Sequence, residues 1–172
     1  MELWLSSLSL QSVSVSVETA VIPSGDDSFL DEAWALKEEI RREEGVLRQR
    51  RDFFDEAYRQ ATTLLIRSVD DGELIGFAST RANGYLLFLA VSPAYREMGF
   101  GRELVAAVAD EHDAVTCHAR VSNEDALEFY DRMGFEIVRR VNRYYEDGGD
   151  AYFLRLGEET SFAARVVDLF RG

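Results

Sequence analysis

The sequence is poor in the residue types that build disulfides, metal clusters and membrane anchors. Cys117 is the single cysteine among 172 residues, which excludes an internal disulfide and any zinc site that needs several cysteines. The two histidines leave little for a metal cluster, so we expect no metal site. No apolar run approaches the ~20 residues of a membrane helix, and the start lacks a signal peptide's basic flank. These absences predict a soluble, cytoplasmic protein that does not bind membranes.

Basic charge is also scarce. The chain has 19 Lys and Arg residues against 32 Asp and Glu, a net charge of -13, and Lys37 is the one lysine. A strongly negative field repels phosphate backbones, which disfavours nucleic acid as a partner. The same surface suits a cytoplasm of high salt, where the Debye length falls to about 3 Å at 1 M. We therefore expect a salt-adapted (halophilic) protein; the alternative is an ordinary acidic protein from an arginine-rich genome.

The length fits one domain, and the patterns along the chain predict an α+β protein. Three strand candidates, TLLIRSV, ELIGFAST and YLLFLAV, are separated by the hairpin-type turns DDG and RANG. Further strands are expected at 13–21, 114–119, 135–145 and 151–156, and helices at 31–45, 50–61, 99–109 and 124–133. The expected organisation is an N-terminal extension at 1–12, a domain at 13–157, and an amphipathic helix at 158–172 that packs on the domain or forms a dimer contact.

A glycine-rich turn follows the strand candidate YLLFLAV and precedes a helix. Its residues 96–101 read R-E-M-G-F-G, and Gly99 and Gly101 would let a ligand approach the backbone closely. The free N–H groups of a helix start favour an anion such as a pyrophosphate, although a tight strand-to-helix turn explains the same glycines. A phosphate-binding loop of the Walker type is excluded because Arg102 follows Gly101 where lysine is required.

This segment resembles the coenzyme-A-binding motif of the GNAT N-acetyltransferase superfamily, R/Q-x-x-G-x-G/A. A second segment, VSNEDALEFYDRMGFE, is similar to the superfamily's N-x-x-A-x-x-F-Y-x-x-x-G-F element. The resemblance implies the GNAT fold, with a central mixed, mostly antiparallel sheet of about seven strands flanked by helices. It also implies acetyl-CoA as the cofactor, bound by residues of both motifs: Leu89, Ala90, Val91, Arg96, Glu97, Met98, Gly99, Phe100, Gly101, Arg102, Asn123, Ala126, Phe129 and Tyr130.

The resemblance also assigns candidate catalytic residues. Tyr130 lies where the superfamily places a general acid, and a phenol with a pKa near 10 is protonated at neutral pH. The alternative is a buried aromatic that only orders the cofactor. His118 lies where related N-terminal acetyltransferases place a glutamate or histidine base, and Tyr85 corresponds to a tyrosine that shares a water with it. Packing in the sheet is the alternative for both, while strand alternation turns Cys117 towards the core.

The stretch RRVNRYYEDGGDAYFLRL is similar to the ending of ribosomal-protein and archaeal N-terminal acetyltransferases. That similarity implies that Tyr144 and Tyr145 bind the acceptor peptide, and nearby acidic residues would attract a cationic amine. The alternative is packing in the sheet with a β-turn at residues 147–149, which strand alternation would apply to one of the two tyrosines. The expected function is acetyl transfer from acetyl-CoA to a primary amine, most consistent with a protein N-terminal α-amine, in a monomer or homodimer. The alternatives are a small-molecule amine acetyltransferase and a non-catalytic acyl-CoA-binding regulatory protein.

Overall fold

Seven strands and four helices alternate in an α+β order in the computed structural model, which describes residues 14–157. The expected N-terminal extension and C-terminal helix therefore lie outside the described residues. The elements, in chain order, are β1 (Val17–Ile22), α1 (Leu30–Glu44), α2 (Arg51–Gln60), β2 (Thr62–Ser68), β3 (Leu74–Thr80), β4 (Leu86–Val91), a 3-10 turn (Pro93–Tyr95), α3 (Phe100–Asp110), β5 (Val115–Arg120), α4 (Glu124–Met133), β6 (Glu136–Val141) and β7 (Ala151–Leu156).

The seven predicted strands form two sheets rather than one continuous sheet. The first is the antiparallel meander β1-β2-β3-β4, and the second has the order β5-β7-β6, also antiparallel. A single parallel bridge, Tyr85 to Thr116, joins them, and the Thr116 N–H donates to the Gly84 carbonyl at 3.1 Å. Beyond this bridge β4 and β5 separate, so each strand has a free backbone edge facing the other.

Helices cover both faces of the meander, which creates two buried clusters. Under α1 and α2, the fully buried Phe54 ring lies 4.7 Å from Phe88 and 6.2 Å from Phe77, measured between centroids. On the other face, Leu104 and Val105 of α3 are fully buried in a second cluster that extends to β5 and β7. Removing a buried aromatic ring such as Phe54 costs about 3–5 kcal/mol of stability. These two clusters hold the two sheets at the positions that create the gap between β4 and β5.

The expected strand at 135–145 is too long. β6 ends at Val141, because Arg143 takes a left-handed φ of 51° and its N–H donates to the Asp150 carboxylate at 2.9 Å. Asp150 also accepts from the Arg140 guanidinium at 2.6 Å, which closes the loop. Tyr144 and Tyr145 therefore lie in the β6–β7 loop (residues 142–150) and do not alternate across a sheet. Likewise the first strand starts at Val17, later than expected.

Within residues 14–157, none of the helices has the length and apolarity needed to cross a membrane. The same part of the chain has no group of three histidine, cysteine or carboxylate side chains placed to hold a metal ion.

Candidate active site

The gap between β4 and β5 is lined by backbone on both sides. Of the three predicted cofactor residues on β4, Ala90 packs into the cluster under α1 and α2, while Leu89 and Val91 are half-buried against the second cluster. On the opposite side, burial alternates along β5, so that Cys117 faces the core and His118 is half-buried. An extended group can therefore pair with the unused edges as an added strand would.

The glycine-rich turn at residues 96–101 ends directly at the start of α3. Gly99 takes a φ of 86° as the N-cap, and no side chain caps the helix, so its first N–H groups face outwards. Gly101 allows close packing: a Cβ there would lie 3.2 Å from the Phe129 ring of α4, tighter than an ordinary contact. The structure thus brings the two sequence motifs into contact. The uncapped helix start is suited to binding an anion.

The side chain of Arg96 binds protein groups. Its Nε donates to the Val91 carbonyl at 3.0 Å, and its guanidinium pairs with Glu44 at the end of α1 at 2.8 Å. Positive potential at this turn therefore depends on the backbone N–H groups and on Arg102, which is exposed together with Glu97 and Met98. Arg96 instead fixes the turn against β4 and α1.

The start of α4 is capped by Asn123, whose Oδ1 accepts from the Ala126 N–H at 3.2 Å. On the same helix, the partly buried Tyr130 packs edge-on against Phe135, with 5.0 Å between the ring centroids. Burial raises the pKa of Tyr130 well above its usual value, and the neighbouring Cys117 thiol adds to this shift. Burial also raises the pKa of Cys117 to about 12, so the thiol stays protonated and is a poor nucleophile.

His118 and Tyr85, which the sequence analysis paired as candidate base and partner, are in direct contact. The Tyr85 hydroxyl lies 2.8 Å from His118 Nδ1 and 3.3 Å from the Tyr144 hydroxyl. The Tyr144 ring stacks on the imidazole with centroids 4.1 Å apart and planes 9° apart. Burial lowers the pKa of His118, and the positive charge of Arg139 lowers it further. Burial raises the pKa of Tyr85, so a neutral imidazole meets a protonated phenol.

Two arginines that no sequence motif indicates, Arg120 and Arg48, bind side chains of the β6–β7 loop. The Arg120 guanidinium lies 3.9 Å from the Tyr145 ring centroid and pairs with Asp147 at 2.9 Å. Asp147 also pairs with Arg48 of the α1–α2 connection at 3.2 Å, and these partners lower the pKa of its carboxyl. The expectation that acidic residues here attract a cationic amine is thus weakened, because Asp147 is already paired. Arg48 and Asp147 are 99 residues apart, so no local pattern indicates their contact.

Sequence relatives point to one enzyme class. N-alpha-acetyltransferase 30 of Saccharomyces cerevisiae is 35% identical over 99 residues, which cover 55% of this chain and 56% of that protein. The human protein of the same name is 38% identical over 78 residues, or 42% of this chain and 22% of that protein. An N-alpha-acetyltransferase of Sulfurisphaera tokodaii is 28% identical over 123 residues, or 59% and 74% of the two chains. The chain thus spans about half of the yeast relative and less of the human one.

Solved structures share the fold. The ribosomal-protein-S18-alanine N-acetyltransferase of Escherichia coli superposes with a TM-score of 0.65 at 21% identity, over 84% of this chain and 98% of that chain. Arabidopsis thaliana Naa50, in complex with the bisubstrate analogue CoA-Ac-MVNAL, has a TM-score of 0.63 at 24% identity, over 84% and 100% of the two chains. A model of the acetyltransferase (GNAT) family matches residues 27–135, more than half of the chain, and the protein therefore belongs to the GNAT acetyltransferase family.

Proposed function

We propose that this protein transfers the acetyl group of acetyl-CoA to the N-terminal α-amine of a protein, by direct attack in a ternary complex. The observation that carries the proposal is the hydrogen-bonded cluster of His118, Tyr85 and Tyr144 beside the gap between β4 and β5. The cluster supplies a neutral base where an ammonium would have to lose a proton. The names of the sequence relatives favour a protein N-terminus as the acceptor.

The residues around the gap fit acetyl-CoA. The uncapped start of α3 would bind its pyrophosphate, and the free backbone edge at Leu89 and Val91 would bind its pantetheine amides. Since Asn123 uses its Oδ1 to cap α4, its amide nitrogen is the group that remains for the cofactor. When bound, acetyl-CoA supplies an activated acetyl thioester. A structure of Arabidopsis thaliana NAA60 in complex with acetyl-CoA shares this fold, with a TM-score of 0.60.

The tautomer of His118 decides whether it acts as a base. If Nδ1–H donates to the Tyr85 oxygen, Nε2 keeps its lone pair and accepts a proton from the incoming amine or from a bridging water. Tyr85 then donates its own proton to the Tyr144 hydroxyl. The lowered pKa of His118 keeps the imidazole neutral at neutral pH, as a base requires.

Tyr130 supplies the proton for the departing thiolate. Its raised pKa keeps the phenol protonated at neutral pH, and its position on α4 places it next to the core-facing side of β5. His118 lies on the other side of the same strand. The base and the acid therefore lie on opposite faces of β5, so the amine is deprotonated on one face and the thiolate is protonated on the other.

The test is acetylation of a library of N-terminal peptides, detected by mass spectrometry, with acetyl-CoA as the donor. We expect peptide acetylation by the unaltered protein, and a loss of about 10²- to 10⁴-fold in kcat for His118→Ala and for Tyr130→Phe. The KM for acetyl-CoA should change far less. Acetylation of polyamines or aminoglycosides with no peptide product would favour the small-molecule alternative. Failure to release thiol with any amine would favour the non-catalytic one.

We further propose that the protein works in a cytoplasm of high ionic strength. The net charge of -13 supports this, because salt screens the self-repulsion of the acidic surface. The melting temperature should rise when potassium chloride is increased from about 0.1 to about 1 M, a range that shortens the Debye length from about 10 to about 3 Å. A melting temperature that falls or stays constant would contradict salt adaptation.

The assignment of the protein as a monomer or a homodimer stays a prediction.

A further inference from the structure

Arginines are concentrated in a depression between the end of α1 and the start of α2, although the chain is strongly acidic overall. The depression has a volume of about 470 Å³. Its lining includes the side chains of Trp34, Glu38, Arg41, Arg48, Arg50 and Arg51. Four guanidinium groups thus surround one carboxylate in a chain whose net charge is -13. An anion is the ligand that such a lining attracts.

Two of these arginines pair with the β6–β7 loop through exposed side chains, and Arg48 also donates from Nε to the Gly45 carbonyl at 2.8 Å. Asp147 keeps its bond to Arg120 if Arg48 changes partner. Arg41 pairs with Glu38 at 2.7 Å, and Arg51 pairs with acidic side chains of α1 and α2 at 2.6 Å. Arg48 and Arg50 have side chains that are 59% and 73% exposed, and Arg50 meets its partner Glu146 only at 3.8 Å. Exposed ion pairs of this kind contribute little to stability, so an incoming carboxylate can replace them at small cost.

The depression adjoins both sides of the candidate active site. Arg48 and Arg50 pair with Asp147 and Glu146 of the β6–β7 loop, which carries the stacked Tyr144. At the other end of the connection, Glu44 pairs with Arg96 of the glycine-rich turn. The connection between α1 and α2 therefore runs along the mouth of the gap, on the side where the acceptor would enter.

A buried lysine holds two of the residues that line the depression. Lys37, the sole lysine, is fully buried; its Nζ donates to the Gln49 carbonyl and lies 4.4 Å from the centroid of the Trp34 ring. This bond holds the connection in place. The Gln49 side-chain oxygen is buried and has no hydrogen-bond partner in the described structure. A buried acceptor without a partner costs free energy, but this oxygen is closed to a ligand in the depression, so the exposed arginines are the groups left to bind one.

We propose that this depression binds an acidic side chain of the acceptor, a few residues after the reacting amine, so that the enzyme selects acidic N-terminal segments. The inference rests on the proposed function, because it assigns the acceptor of that same site. Arg48 and Arg50 bind the carboxylate with charge-assisted hydrogen bonds, and the Trp34 ring contacts its methylene groups.

The test compares peptide pairs that differ only by Glu or Gln at the second, third or fourth residue. For the unaltered protein we expect kcat/KM to be about tenfold higher for one of the Glu peptides than for its Gln partner, the effect of one charge-assisted hydrogen bond. In the double variant Arg48→Gln, Arg50→Gln this ratio should fall towards one. Arg59→Gln is the matched control, since Arg59 also has an exposed partner at 3.8 Å but lies outside the depression, and it should keep the ratio.

A binding measurement separates this proposal from the proposed function. The same peptides are titrated calorimetrically into the protein saturated with coenzyme A, which needs no turnover. If no peptide is acetylated but the Glu peptide binds about tenfold tighter and loses this advantage in the double variant, the proposed function fails and the acidic site stands. Equal binding of Glu and Gln peptides overturns the site. So does a variant that raises the KM for acetyl-CoA with the peptide ratio intact, because the arginines would then serve the cofactor's phosphates.

Discussion

The hydrogen bond between Tyr85 and His118 is the most direct place to test the proposed chemistry. Tyr85→Phe removes one hydroxyl and keeps the ring, so the parallel bridge between Tyr85 and Thr116 is retained. The change deletes the 2.8 Å bond to His118 Nδ1 and the 3.3 Å contact with the Tyr144 hydroxyl. Without an acceptor for Nδ1–H, the imidazole loses the partner that orients it and keeps Nε2 as the base.

The size of the effect follows from one hydrogen bond in a half-buried site. Such a bond contributes about 0.5–1.5 kcal/mol, which corresponds to a loss of about two- to tenfold in kcat. The KM for acetyl-CoA should stay within about twofold, because the hydroxyl contacts the base and not the glycine-rich turn. The assay is steady-state kinetics with one peptide acceptor, with thiol release followed continuously.

Tyr58→Phe is the matched control for this measurement. Its hydroxyl donates to the Ser28 carbonyl at 2.7 Å in the cluster under α1 and α2, away from the gap. We expect the control to lower the melting temperature by about 2–4 °C while kcat stays constant at a temperature well below the transition. If Tyr85→Phe lowers stability as the control does and leaves kcat and its pH profile intact, the tyrosine has only a packing role and the proposed proton path is wrong.

Two further predictions concern residues that no motif singles out. Arg139→Gln removes the positive charge that helps to lower the pKa of His118; the pKa should therefore rise towards its usual value of about 6.5, and the acid limb of the kcat profile should move to higher pH. An unshifted or downward-shifted limb would argue against His118 as the base. Gly149→Ala should place a Cβ against the Arg120 guanidinium and displace this flexible side chain from Tyr145. We expect a raised KM for the acceptor with little change in melting temperature, and an unchanged KM would show that Arg120 does not position the loop.

Local patterns were sufficient wherever an element carries its own start and stop signals. The helix predicted at 124–133 has those bounds in the structure, because Asn123 caps its first turn and Gly134 ends it with a φ of 93°. The hairpin turns between β2, β3 and β4 likewise predicted an antiparallel meander. The resemblance to the GNAT superfamily, carried by two short motifs, is confirmed by the family match over residues 27–135.

Contacts that form only in the folded chain account for the features that local sequence patterns did not predict. β6 stops early because Asp150, seven residues further on, accepts from the Arg143 N–H and closes the loop. The motif assigns Arg96 to the cofactor, and the structure adds a contact that the motif does not indicate: its guanidinium pairs with Glu44, which lies on a helix that precedes the turn by three strands. Asp150 lies close to Arg143 in the sequence, but no local pattern indicates that its carboxylate turns back to the Arg143 N–H. Glu44 lies far from Arg96 in the sequence, and their pairing depends on how separate elements pack.

The sequence by itself determined the order of the elements, the acidic surface and the residue types at the two motifs, because periodicity, caps and glycine positions act over a few neighbouring residues. Only the tertiary structure decided how the chemistry is assembled. The separation of β4 from β5 exposes two backbone edges. The bridge between Tyr85 and Thr116 brings Tyr85 to His118 across 33 residues, and the α1–α2 connection brings Arg48 to Asp147 across 99. The physical reason is that a hydrogen bond or an ion pair depends on distance in space, which the two packed clusters set and which separation along the chain does not record.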